Sequence, residues 1–184
     1  MNKLATAAAM IAAAGLSGCM NTGGMSDIPP PNSVDFARAD LADASGMDRG
    51  AVTFEQLDTG VRVVIEGRGL TPGAHGAHIH MTGSCVAPDF TSAGGHWNPM
   101  NREHGRENPA GQHMGDMPNL IVGQDGSGVL ELVVEGARIT GGTAAMLDGD
   151  GAAVVIHAGP DDYRTDPAGD AGSRVACGEV YAAM

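Results

Sequence analysis

The chain has 184 residues and a formal charge of −12, with Lys3 as its only lysine. That length suits one domain with a full hydrophobic core, and an acidic chain without clustered basic residues excludes nucleic acid as a partner. Glycine is frequent, at 29 residues, and three cysteines have to be placed.

The first segment opens Met1-Asn2-Lys3 and runs through an apolar stretch from Leu4 to Leu16, ending Leu16-Ser17-Gly18-Cys19. A charged start, an Ala-rich centre and small residues before a cleavage point make an export signal, too short to span a bilayer. The Leu-Ser-Gly-Cys end resembles the lipobox of bacterial lipoproteins, which implies a signal peptide over residues 1–18, lipidation of Cys19 and a membrane anchor. An ordinary signal peptide cut elsewhere, or a short buried helix, is the alternative. Cleavage removes Lys3 and takes the charge from −12 to −13. Residues 19–35, with Gly23-Gly24 and Pro29-Pro30-Pro31, read as a flexible tether, and residues 36–184 as the folded domain.

Ala37 to Met47 fits a short helix or a first strand equally. Ala51 to Leu57 and Val61 to Glu66 alternate apolar and polar residues about Asp58-Thr59-Gly60, a hairpin signal. Ala77–Met81, Leu120–Val122, Val129–Val134, Ala152–His157 and Val175–Tyr181 are further short strands, separated by turn signals such as Asp148-Gly149-Asp150-Gly151. The expectation is an all-β sandwich or barrel with one long irregular excursion from about Gly83 to Pro118.

Loops longer than about 15 residues are usually functional or disordered. This one carries Cys85, His96, His104, His113 and Asp116, so metal ions and a disulfide are able to replace the missing hydrogen-bond ladder. His78 and His80, two apart in a strand, share one face and are able to grip one ion. With His157 added, six histidines and one aspartate suffice for two neighbouring sites, since copper and zinc accept imidazole and zinc also accepts carboxylate. If Cys19 carries lipid, Cys85 and Cys177 remain as a pair in an oxidising compartment, where a disulfide closes a loop of about 90 residues; two buried free thiols are the alternative.

Four separated segments carry a resemblance: Gly76-Ala77-His78-Ile79-His80; Thr91-Ser92-Ala93-Gly94-Gly95-His96-Trp97-Asn98-Pro99; His113-Met114-Gly115-Asp116-Met117-Pro118-Asn119; and Gly172-Ser173-Arg174-Val175-Ala176-Cys177-Gly178. In this order they resemble the signature segments of bacterial copper,zinc superoxide dismutases, from about Val52 to the C-terminus. The resemblance implies an eight-stranded Greek-key β-barrel (an immunoglobulin-like sandwich) with a long metal- and disulfide-bearing loop. It implies one copper and one zinc per subunit: copper on His78, His80, His96 and His157, and zinc on His96, His104, His113 and Asp116.

It further implies that Asp161 orients His78 and His104 from behind, that His96 donates a proton, and that Arg174 holds the anionic substrate, superoxide. His75 matches a histidine of loop structure and is not counted as a ligand. The family often lines its channel with lysine; in a mature chain without lysine, Arg164, Arg102 and Arg106 are the candidate replacements. Localisation is expected in the bacterial cell envelope, anchored through Cys19 and facing the periplasm, with the outer membrane favoured because Met20 follows the cysteine. Monomer and homodimer both stay open. So do two other functions for the same ligands: a metal-buffering or copper-delivery lipoprotein without turnover, and a structural β-domain of the envelope.

Overall fold

The computed structural model describes residues 35–183; the segment expected as a signal peptide, Cys19 and nearly all of the expected tether lie outside the described residues. Ten strands follow in chain order: β1 (Phe36–Ala42), β2 (Asp48–Gln56), β3 (Gly60–Gly67), β4 (Gly73–His75), β5 (Ala77–His80), β6 (Leu120–Val122), β7 (Gly128–Glu135), β8 (Ala153–His157), β9 (Arg174–Glu179) and β10 (Tyr181–Ala182). Among the described residues the one helical element is a 3-10 turn at Thr91–Ala93.

The main sheet runs β5-β8-β9-β1-β2-β3-β7, with β10 extending β9 along β1, and β4 pairs with β6. β4 and β5 are one strand broken at Gly76, and β6 joins β7 through a tight turn in which the Gly123 amide donates to the Ser127 carbonyl at 2.8 Å. The sheet therefore curls into a barrel, and counting β4–β5 and β9–β10 as interrupted single strands leaves eight. The connections β3 to β4 and β7 to β8 pass over neighbouring strands, which makes the topology Greek-key.

Alternation explains the strands. In β3, Val61, Val63 and Ile65 are fully buried while Arg62, Val64 and Glu66 are more exposed, as period-two side-chain direction requires. They meet Leu41, Phe54, Ile79, Leu120 and Ile156 in one continuous core; each such side chain contributes roughly 1.5–3 kcal/mol on burial. The ambiguous segment Ala37–Met47 resolves as a strand to Ala42, followed by a turn closed by Asp43 and Met47. Its Ala37, Ala39 and Leu41 point inward. β4 had no sequence signal, and the strand expected at Val175–Tyr181 starts one residue earlier and is interrupted at Val180.

The excursion after β5 lies on the outside of the barrel. Its two central segments attach to β5 as short bridges: the Ile79 amide donates to the Gly115 carbonyl at 2.9 Å, and the Trp97 and Met81 amides pair with the Ile79 and Gly95 carbonyls at 2.8 and 3.0 Å. Gly115 allows that approach, since a Cβ there would sit 2.2 Å from the Ile79 oxygen. The start of the excursion is pinned by a Cys85–Cys177 disulfide and by Phe90 and Ala93, which pack on Ala153 and Val155 of β8. The disulfide closes a sequence separation of 92 residues.

Candidate metal centre

β5 is buried on both faces, with Ala77 and Ile79 in the barrel core and His78 and His80 turned outward beneath the excursion. β8 pairs with β5 so that Val155 faces His78 and Ala153 faces His80. A register shift after Ile156 marks the end of β8, where His157 joins the same outer face. The bridges along β5 then set His96 beside His80 and Asp116 beside His78.

Two groups of ligand atoms result. The first is His78, His80, His96 and His157; the second is His96, His104, His113 and Asp116; within each, all ligand atoms lie within 4.8 Å of one another. A third grouping, His78, His104 and Asp161, joins them from behind. Every one of these side chains is buried.

Hydrogen bonds decide what each ring presents. His78 Nε2 donates to Asp161 Oδ2 at 2.8 Å, His80 Nδ1 to the Gly94 carbonyl at 2.9 Å, and His157 Nδ1 to the Gly172 carbonyl at 3.0 Å. A ring nitrogen that donates fixes the tautomer and leaves a lone pair on the other. The other nitrogens, His78 Nδ1, His80 Nε2 and His157 Nε2, are buried without a hydrogen-bond partner among the described residues, and so is His96 Nε2. Four orphan acceptors converging in one place fit a cation that takes imidazole, because buried polar groups are otherwise almost always paired.

The second group is built around Asp116. Its Oδ1 lies 2.8 Å from His96 Nδ1 and 3.2 Å from His113 Nδ1, and those two nitrogens are 3.4 Å apart. His104 Nδ1 is 3.1 Å from Asp116 Oδ2 but is not aligned for a hydrogen bond, while its Nε2 donates to Asp161 Oδ1 at 3.0 Å. Three imidazoles and one carboxylate suit zinc. His96 belongs to both groups through its two nitrogens.

Burial holds His78 down at about 3, His80 at about 2 and His157 at about 4, and it lowers His96 as well. These rings are neutral at physiological pH, as metal ligands must be. Burial also opposes charge on His104, but hydrogen bonds to Asp116 and Asp161 outweigh it and raise the ring to about 9. Against the cost of their own burial, the carboxyl groups of Asp116 and Asp161 are held well below the usual range by their histidine partners.

A cavity of about 260 Å³ opens on the first group, lined by His80, His96, His157, Pro167 and Arg174. Arg174 donates to the Phe90 and Gly94 carbonyls at 2.6 and 2.7 Å and makes no salt bridge among the described residues, although Asp89 acts on it at longer range. Larger cavities lie elsewhere on the surface, but this one carries the unpartnered nitrogens.

The family model for copper/zinc superoxide dismutase (SODC) matches residues 48–180. The chain belongs to the copper/zinc superoxide dismutase family. A Cu-Zn superoxide dismutase of Caulobacter vibrioides is 43% identical over 147 residues, covering 78% of this chain and 84% of that protein. The superoxide dismutase-like protein YojM of Bacillus subtilis is 41% identical over 184 residues, covering 93% and 92%. The crystal structure of a SOD-like protein from Bacillus subtilis superposes with a TM-score of 0.74 at 41% identity, covering 77% of this chain and 96% of that one.

For a member of this superoxide dismutase family, the structure brings together every histidine expected as a ligand, with Asp116 and Asp161. His75 stays outside: its Nδ1 donates to the His157 carbonyl at 2.7 Å and its Nε2 faces Thr71. The expected replacements for channel lysine do not line the cavity on the first group. Arg164 is paired with Glu107 at 2.6 Å, and Arg102 and Arg106 line a different cavity.

Sequence reasoning missed several supports. Asn119 accepts from the Asp161 amide at 2.8 Å and donates to the Asp161 carbonyl at 2.9 Å, fixing the residue whose carboxylate accepts from His78 and His104. Asp166 accepts from the His104 amide at 2.7 Å. Asn119 ends a quoted motif and Asp166 lies between two of them, yet no spacing rule assigns either a role.

Proposed function

We propose that His78, His80, His96 and His157 hold copper, that His96, His104, His113 and Asp116 hold zinc, and that Arg174 binds superoxide for dismutation to dioxygen and hydrogen peroxide at the envelope surface. The observation that carries the assignment is the convergence of the four orphan nitrogens His78 Nδ1, His80 Nε2, His96 Nε2 and His157 Nε2 beside Arg174.

Copper, when bound, supplies the one-electron redox couple, and zinc supplies charge and structure without redox chemistry. The residues do the rest. Asp161 and the Gly94 and Gly172 carbonyls keep His78, His80 and His157 in the tautomers that point lone pairs at the copper site. Arg174, fixed by two carbonyls and without a salt bridge among the described residues, offers its fork to a small anion in the cavity. His96 is the one side chain common to both groups, so its Nε2 is placed to hold a proton and pass it to the second superoxide, while its Nδ1 stays with the Asp116 cluster.

The reading includes export, supported by the Leu16-Ser17-Gly18-Cys19 segment and by a disulfide that an oxidising compartment would preserve. Lipidation of Cys19 would tether the domain to a membrane facing the periplasm; Cys19→Ser is expected to release it into the soluble fraction, and continued membrane association would refute that part.

The decisive experiment measures copper and zinc per chain together with dismutation rate, on the chain starting at Cys19 and on its Arg174→Ala variant. One of each metal with rapid turnover, and at least tenfold slower turnover in the variant at unchanged copper, is the expected result. Full metal with negligible turnover in the parent chain would make it a metal-binding module instead.

A further inference from the structure

The arginines sort by partner. Arg38, Arg49, Arg62, Arg68 and Arg164 each sit within 3.2 Å of a carboxylate. The guanidinium groups of Arg102, Arg106, Arg138 and Arg174 make no salt bridge among the described residues, although the chain has 22 acidic residues to offer. Arg174 serves the copper-side cavity. Arg102 and Arg106 line a second cavity of about 420 Å³ between the excursion and β7, and His113 lines both.

The backbone holds Arg102 firmly. Asn98 clamps Arg102 from both sides, accepting from its amide at 2.9 Å and donating to its carbonyl at 2.8 Å. Glu103 and Gly111 bridge, which lays residues around Arg102 and Arg106 beside those around Gln112. Across the cavity stands β7, whose outer face exposes Val129 and Val133 (40% exposed) beside Glu131 and Glu135; of the two valines only Val133 lines the cavity, together with Met114. Glu135 and the buried Asp116 are the acidic lining residues; Asp116 is already engaged by histidines, so two free guanidinium groups face one free carboxylate.

We propose that this cavity is an anion site, distinct from the copper-side cavity, for a phosphate or carboxylate group carried on a short apolar body. Guanidinium forks match both anions in a bidentate way, Gln112 adds an amide, and Val133 and Met114 receive the apolar part. A cavity of this size falls in the range of small-ligand sites, roughly 300–1,000 Å³.

The test titrates the copper- and zinc-loaded protein with phenyl phosphate and with inorganic phosphate by calorimetry at low ionic strength. Saturable binding of one phenyl phosphate per chain is expected, at least tenfold tighter than inorganic phosphate. It should weaken at least tenfold in Arg102→Ser/Arg106→Ser and stay within twofold in Arg138→Ser. Because the double change lies beside His104, zinc content is measured alongside, and Val133→Asp on the opposite wall provides an independent arm with the same tenfold loss at full zinc. Unchanged affinity in both variants would overturn the site. A loss in Arg174→Ala without one in the double variant would overturn it too, by placing the anion on the copper side. Equal affinity for the two probes would overturn the apolar part of the assignment.

Discussion

Gly169→Ala tests whether Asp161 works as the hinge between the two ligand groups. Gly169 has φ +64, and a Cβ there would fall 1.8 Å from Asp161 Oδ1, 2.5 Å from its Cγ and 2.7 Å from His104 Nε2. The backbone has little room to retreat, because the Gly169 amide donates to Thr165 at 2.6 Å and its carbonyl accepts from Asp162 at 2.9 Å. The side chains must give instead, and the 3.0 Å bond between Asp161 and His104 is lost. Left-handed strain costs about 1–2 kcal/mol for a residue with a Cβ, and losing a charged hydrogen bond about 1.5–3 kcal/mol more. Gly141→Ala separates the two: φ is +74, with nothing within 4 Å of the added Cβ, so only the strain applies. Denaturant unfolding of the metal-free proteins should therefore show about 2.5–5 kcal/mol lost for Gly169→Ala and about 1–2 for Gly141→Ala. Chelator competition should show zinc affinity reduced roughly 10–100-fold in the first variant, the usual effect of losing a carboxylate behind a ligand histidine, and unchanged in the second. If the two variants match in both assays, Asp161 is not holding His104 and the argument fails.

Metal-free protein should be most stable near pH 6.5. His78, His80 and His157 are lowered to about 3, 2 and 4, so stability falls as pH drops below 6.5 and the unfolded chain takes up protons that these buried rings refuse. His104 is raised to about 9, so its contribution is complete below 6.5 and disappears as pH rises through 9; unfolding midpoints at three pH values would expose a monotonic profile if the signs are wrong. Dismutation should change less than about twofold as ionic strength rises from about 0.01 to about 0.15 M, because Arg174 is the one cationic residue lining the copper-side cavity of an acidic chain; stopped-flow rates falling steeply with salt would reveal steering from elsewhere. Cys85→Ser/Cys177→Ser opens a loop of 92 residues and should cost roughly 2–5 kcal/mol of stability, and an unchanged thermal midpoint would show that Phe90 and Ala93 pin the excursion unaided.

Hairpin β2–β3 was legible to within a few residues because the inward Val61, Val63 and Ile65 fall at every second position, with Arg62 and Glu66 on the other face, next to the turn Asp58-Thr59-Gly60. β1 stayed ambiguous because its inward residues are mostly alanine, which favours helix and carries a weak strand signal, so only pairing with β2 decides it. β4 is three residues containing a glycine and exists because β6 pairs with it. Arg164 looked available for substrate because nothing in one dimension shows Glu107, 57 residues away, as its partner.

His157 shows where one-dimensional reading ends. It closes a five-residue apolar strand that is buried throughout, so residue type and pattern describe a core histidine. His75 is equally buried and also sits in a strand, and it is not placed as a ligand. The difference is at the ring nitrogens. His75 has oxygen partners for both, whereas His157 spends Nδ1 on the Gly172 carbonyl and leaves Nε2 bare beside those of His80 and His96. The carbonyl that selects this tautomer is 15 residues downstream, in a loop positioned by the return into β9. The bare Nε2 of His157 is thus a property of the folded turn before Arg174, and only a resemblance that encodes the whole turn could have announced it.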